Sequence, residues 1–282
     1  MRQLRLAAAG LALTLLALPA AAAAAVQLGR VDASAYPTLR TSVVSPAGAS
    51  VAPAISENGS PVAGLQETNL GRTKAIATLI DRSQSMRGKP LADAIVAARS
   101  FVQAKNASDQ VAVIAFGSRP LTRSPFSTAK LDADESLANL TPDKVSGTAL
   151  YDAIALAARQ LRSNELPGRV IVVLTDGADK GSRIEINQAI NAARAANAAV
   201  YAIGIEGTGF TSDPLVQITT ATGGRYYGAS STSGLAAVYR TIADTLKRTW
   251  RIQYVTSARP GDQIRVAASV IGHGSAVSRL SE

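Results

Sequence analysis

Cysteine is absent from this 282-residue chain. No disulfide, thiolate metal site or cysteine nucleophile can therefore be built. Histidine occurs once, as His273. That excludes multi-histidine metal centres and leaves a Ser-His-Asp arrangement a single candidate base. Aromatic residues make up 4% of the chain, against 47% apolar residues in all. The core must rest on Ala, Val, Ile and Leu, and at this length it can be stable without covalent staples. Past the N-terminus no segment is apolar enough to cross a bilayer. Runs of basic residues are also missing. The net charge is +9, yet Lys and Arg are scattered singly and no nucleic-acid motif accompanies them. The expectation is no nucleic-acid partner.

The N-terminus, MRQLRLAAAGLALTLLALPAAAAAAV, places two arginines before an apolar stretch and then small residues. This is a secretory signal pattern over residues 1–25, with Ala-x-Ala options ending at Ala23 or Ala25. An uncleaved membrane anchor is the alternative, because the apolar length nearly spans a bilayer. Either way the folded part is expected outside the cytoplasm: secreted, periplasmic or associated with the cell envelope.

The most informative stretch is KAIATLIDRSQSM, Lys74 to Met86. The apolar run Ala75–Ile80 reads as a buried strand. It ends abruptly in Asp81, Ser83 and Ser85, which fall on the loop leaving the strand. Because they alternate, one turn of irregular backbone can aim all three at one point. A carboxylate with two hydroxyls is a hard, all-oxygen ligand set of the kind that suits Mg²⁺. Further along, SGTALYDAIALAARQL puts Thr148 just before a helical pattern, and RVIVVLTDGAD puts Asp176 at the end of a second apolar strand. Ligands of open α/β sheets bind outside the carboxyl ends of the strands, where Asp81 and Asp176 both fall.

These residues resemble the von Willebrand factor A domain and its metal-ion-dependent adhesion site, over roughly Arg72 to Thr249. The motifs are the Asp81-x-Ser83-x-Ser85 loop, the Thr148 loop and the Thr175-Asp176-Gly177 turn. The five ligand positions, Asp81, Ser83, Ser85, Thr148 and Asp176, are all filled. The resemblance implies Mg²⁺ as the bound ion, with Mn²⁺ or Ca²⁺ as alternatives. It implies direct coordination by the Ser83 and Ser85 hydroxyls, joined by Thr148 when a ligand is bound. Asp81 and Asp176 would act largely through bound waters. It further implies a non-enzymatic protein-binding module of the bacterial exported type, whose partner presents an Asp or Glu carboxylate to the metal. A subunit of an envelope secretion or pilus assembly machine, as part of a longer membrane protein, is the alternative. A metal-assisted hydrolase is the weaker rival, because no dedicated general base stands out.

Strand patterns at Ala75–Ile80, Val111–Phe116, Val170–Leu174, Val200–Ile205 and Arg225–Tyr227 alternate with amphipathic helices. A short edge strand fits Leu121–Phe126. Leu91, Ile95, Ala98 and Val102 share one helical face. So do Leu150, Ile154, Ala157 and Leu161, and again Leu235, Val238, Ile242 and Leu246. The expected fold is α/β, a Rossmann-like, doubly wound, mainly parallel sheet over residues 73–249. The flanks read as β. Residues 26–72 carry the alternating TLRTSVV and an Asn58-Gly59 turn signal. Residues 250–282 carry two strand patterns joined by ARPGD. Domain termini of this family lie close together, so the flanks are expected to pair into one small β-domain.

Other motifs carry less. Ser127-x-x-Lys130 lies in a polar stretch with no companion motif. Gly204-x-x-Gly207-x-Gly209 has the wrong glycine order for a dinucleotide loop. Arg82, Arg87, Lys89, Lys180 and Arg183 lie near the site in sequence and would form a basic rim favouring an acidic partner.

Overall fold

A computed structural model of the chain describes residues 25–49, 51–207 and 209–280. The signal segment expected at 1–25 lies, but for its last residue, outside the described residues. No described helix is long and apolar enough to cross a membrane.

In the N-terminal flank, alternation of apolar and polar residues produces short strands. They are β1 (Gln27–Leu28), β2 (Asp32–Ala35), β3 (Thr38–Val44), β4 (Ala54–Glu57), β5 (Ser60–Pro61) and β6 (Gln66–Asn69). The turn signal is realised between β4 and β5, where Asn58 and Gly59 have φ of 50° and 90°. Two successive positive φ values suit Asn-Gly, because both residues tolerate the left-handed region.

The central region then alternates. Strand β7 (Lys74–Asp81) leads to α1 (Lys89–Gln103), β8 (Gln110–Phe116), β9 (Pro120–Ser127), α2 (Lys130–Ala138) and α3 (Leu150–Arg162). Next come β10 (Gly168–Thr175), α4 (Ile186–Ala195), β11 (Ala199–Ile205), α5 (Asp213–Thr222), β12 (Tyr226–Ala229) and α6 (Leu235–Lys247). The six strands run in the order β12-β11-β10-β7-β8-β9, parallel except for the edge strand β9. Strand β7 is wholly buried because both faces of the sheet are covered. Ile76 and Ile80 pack with α1, α2 and α6 on one face, and Ala75, Ala77 and Leu79 with α3, α4 and α5 on the other. The chain winds from β7 to β8 on one side and later returns to β10 on the other. The carboxyl ends of β7 and β10 therefore flank the point where the strand order reverses, the place where open α/β sheets leave a crevice.

Helix α6 adds one residue to its expected stripe. Tyr239 is fully buried between Leu235 and Ile242, while Val238 packs half-buried against the same cluster; the Tyr239 ring lies 5.3 Å from that of Phe101 on α1. A single apolar residue at i+3 and an aromatic at i+4 are indistinguishable by period. The ring offered by α1 decides which of them is fully buried.

The C-terminal flank forms β13 (Thr249–Val255), β14 (Ile264–Val270) and β15 (Gly274–Leu280). Two of these match expectation, and β15 was not foreseen. It closes a hairpin on β14 at His273, whose N–H donates to the Val270 carbonyl at 2.9 Å. Strands of both flanks interleave. Strand β13 pairs with β3 and β6, and β14 with β4. The two antiparallel sheets share one apolar cluster including Leu39, Val43, Ile252, Tyr254 and Val266. This β unit abuts the C-terminal end of α5. Ser42 Oγ donates to Gly223 O at 2.7 Å, and Arg251 Nη1 to Thr222 O at 2.6 Å. Thr222 Oγ1 accepts from Val200 N at the start of β11. The β unit thus lies at the amino ends of the parallel strands, opposite the crevice.

Candidate metal centre

Asp81 ends β7 with no exposed surface. Its Oδ1 accepts the Ser83 N–H at 2.8 Å. This is the local turn that an aspartate imposes on the backbone two residues on. The turn brings Ser83 back over the strand end. A short 3₁₀ turn, Gln84–Met86, follows, pinned by the fully buried Met86 side chain. The loop is also held by backbone on both sides: Arg82 N donates to Phe116 O, and Asp143 N donates to Arg82 O, each at 2.7 Å. Gly88, at φ 83°, then turns the chain into α1.

Side chains from two distant loops meet here. Ser83 Oγ lies 3.1 Å from Ser85 Oγ, and Ser85 Oγ donates to Asp176 Oδ1 at 2.8 Å. Beneath them, Thr175 Oγ1 donates to Asp81 Oδ2 at 2.6 Å and accepts the Gly177 N–H. The structure therefore joins Asp81, Ser83, Ser85 and Asp176 into one hydrogen-bonded group. Thr148 is on the adjoining loop. Its N–H and C=O both pair with Lys180, at 2.9 Å each, which ties it to the loop that carries Asp176. Its hydroxyl makes no hydrogen bond among the described residues.

Burial dominates the electrostatics of Asp81. It pushes the carboxyl up from its ordinary value of 3.8 to about 6, against the lowering effect of the Thr175 and Ser83 hydrogen bonds; the Asp176 charge adds to the rise. A carboxylate so placed is short of positive charge. A divalent cation over Ser83 and Ser85 would supply it. The donor set fits such an ion: neutral hydroxyls and two carboxylates, all hard oxygen. Among the described residues no three His, Asp or Glu side chains cluster as a metal site, so any centre here depends on the hydroxyls. Asp81 and Thr175 lie inside, whereas Ser85 is exposed, so the group is open to a ligand on one side.

Three residues support the group from beside it. Thr175, at the end of β10, anchors Asp81. Asp143, 6% exposed, accepts from Ser118 N and Oγ and from Val145 N, shaping the loop before Thr148. No spacing signal marks it. Asp179 accepts the Tyr151 N–H at 3.1 Å, capping α3 from outside its own segment. Ser182 Oγ accepts from Asp152 N, and Asp152 accepts from Arg183 N. These bonds lace the Thr148 and Asp176 loops together.

The basic rim is thinner than expected. Arg82 faces Asp143 at 3.5 Å and Lys89 pairs with Asp93 at 2.6 Å. Arg87, Lys180 and Arg183 remain exposed. Ser127 and Lys130 engage different backbone groups, Ala129 N and Gln103 O, and make no dyad. A Cβ at Gly204 would meet the tips of the Phe210 and Tyr226 side chains at 2.5 and 2.6 Å, which would have to shift to admit it.

Comparison with known proteins adds the following. The family model described as von Willebrand factor type A domain matches residues 75–241. An uncharacterized protein of Borreliella burgdorferi is 30% identical over 132 residues, 46% of this chain and 38% of that protein. The chain thus spans well under half the length of this curated relative. Among solved structures, a von Willebrand factor type A protein from Catenulispora acidiphila aligns with TM-score 0.58 at 14% identity, over 90% of this chain and 71% of that one. Proximal thread matrix protein 1 of the mussel byssus, solved with a zinc-occupied MIDAS motif, aligns with TM-score 0.58 at 20% identity, over 66% of this chain and 49% of that one. At such identities the likeness concerns the fold.

Proposed function

This chain belongs to the von Willebrand factor type A domain family, and from that premise we propose that it is an extracytoplasmic, Mg²⁺-dependent protein-binding module. The observation that carries the reading is the 2.8 Å bond from Ser85 to Asp176. It closes a ring of hard oxygens between residues 91 positions apart, at the crevice where this fold binds ligands. Ser83, Ser85 and Thr148 would hold the ion through hydroxyls, and Asp81 and Asp176 would balance its charge. When bound, the ion supplies a coordination position that a partner's Asp or Glu carboxylate can fill. The protein's own contribution is positional. Thr175 and the Ser83 N–H fix both oxygens of Asp81. The Lys180 bridge and Asp179 tie the Thr148 loop and α3 to the loop that carries Asp176. Exposed Arg87, Lys180 and Arg183 favour approach of an acidic surface. Location outside the cytoplasm rests on the signal pattern of residues 1–25.

The test is capture of partners from a cell-envelope extract in Mg²⁺, in EDTA, and with folded Asp81→Ala. A partner lost in both controls supports metal-bridged recognition. A partner retained in all three would place the binding surface elsewhere and refute the proposal.

A further inference from the structure

Arginines converge where the β unit meets α4 and α5. Arg30 precedes β2, Arg40 lies on β3, Arg194 on α4 and Arg251 on β13, and all four line one cleft, whose enclosed volume is only about 10 Å³, with Asp32 the only acid beside them. Four cations and one carboxylate leave a formal surplus of three positive charges. Asp32 is already committed, its Oδ2 3.2 Å from Arg194 Nε and its Oδ1 accepting the Ser34 N–H. The end of α5 offsets part of the surplus, since Arg194 Nε and Arg251 Nη1 donate to the Ala221 and Thr222 carbonyls. A helix C-terminus carries about half a negative charge, so most of the surplus remains. Burial, with Arg40 nearby adding to it, lowers the Arg251 guanidinium to about 10. Arg30 makes no hydrogen bond among the described residues. Arg40 uses only Nε, toward Gln253. Among the described residues the terminal nitrogens of Arg40 and Arg194 have no hydrogen-bond acceptor, whereas Arg251 Nη2 donates to Asn197 Oδ1 at 2.9 Å. Arg30 is exposed and Arg40 and Arg194 are half-buried, so like charges are gathered here with donors that an incoming anion can take.

We infer that this cleft is a binding site for a tetrahedral oxyanion of the phosphate or sulfate class, separate from the metal centre. Guanidinium groups come from β3, α4, β13 and the segment before β2 and so approach from several directions. A tetrahedral anion offers oxygens in several directions, and each planar fork can take two of them. A carboxylate offers only two in one plane. The enclosed part of the cleft is small, so the anion sits at its mouth. There the cleft opens into a longer groove between β2 and helices α4 and α5, lined by Asn187, Asn191 and Gln217 together with Asp213 and the apolar Ile190 and Val216. That groove leaves room for a larger body carrying the oxyanion. Bound there, it would bridge the β unit and the central sheet.

Calorimetric titration of the full chain in EDTA, with inorganic phosphate, sulfate, acetate and chloride at matched ionic strength, tests this. Phosphate and sulfate are expected to bind once per chain and to raise Tm, and acetate and chloride to do neither. Arg40→Gln should weaken phosphate binding at least ten-fold, and Arg30→Gln, which removes no internal bond, should weaken it measurably. Asp81→Ala should leave it unchanged, which separates this site from the metal centre. Binding of acetate as tight as phosphate, no saturable phosphate binding, or wild-type affinity in both arginine variants would overturn the inference.

Discussion

Replacing Asp81 by Asn should make the metal-free protein more stable at neutral pH while abolishing its metal response. The magnitude follows from burial. A carboxyl whose value rises from 3.8 to about 6 disfavours the charged folded form by about 3 kcal/mol, at about 1.4 kcal/mol per tenfold. The sign is that of an acid raised on folding. Its stabilising contribution is fully present below pH 3.8 and is lost as pH rises through about 6. Asn keeps the acceptor for the Ser83 N–H and can donate to Thr175 Oγ1, whose hydroxyl then turns toward Gly177 O, 3.2 Å away. At pH 4 the two proteins should be of similar stability. At pH 7.5 in EDTA the variant should lead by up to about 3 kcal/mol, roughly 6–12 °C in Tm for a domain of this size. Mg²⁺ at about 100 times Kd should return about 2.7 kcal/mol to the wild type alone. Urea unfolding followed by far-UV circular dichroism suits the purpose, because the one tryptophan, Trp250, reports on β13. Equal metal-free stability of the two proteins from pH 4 to 8 would refute the reasoning. So would an equal Mg²⁺ response.

Other substitutions probe the supports. Asp109 accepts from Lys74 Nζ at 2.8 Å, Lys74 N and Asn106 N in the interior, so Asp109→Ala should cost about 3–5 kcal/mol by stranding a buried ammonium; denaturant midpoints would show whether adding Lys74→Met restores part of it. Gly224→Ala would put a Cβ 1.9 Å from the Val200 carbonyl oxygen, where backbone must move, and a loss on the order of 3 kcal/mol is expected in thermal unfolding. Asp179→Ala should remove about 1 kcal/mol as a lost helix cap and weaken Mg²⁺ binding about ten-fold through the Thr148 loop, the second effect being read by calorimetry.

The strands, the helices and the layered α/β order were legible before any coordinates, because period and turn chemistry are local. Ala75–Ile80 is apolar but for Thr78, a pattern that suits a strand covered on both faces. Asn58-Gly59 is a turn by backbone preference alone. The residues of the candidate centre were legible as well, since the Asp81 loop follows its strand directly and Asp176 ends another. Only the tertiary structure decided what supports them. Asp143 and Asp179 act on loops elsewhere in the chain, and nothing in local spacing marks a side chain whose partners are distant. The same holds for β15, for the burial of Tyr239 beside Val238, and for the arginines gathered from distant parts of the chain beside Asp32. Local preference sets which elements form. Which charges and hydroxyls meet depends on how those elements pack, and that is a property of the whole fold.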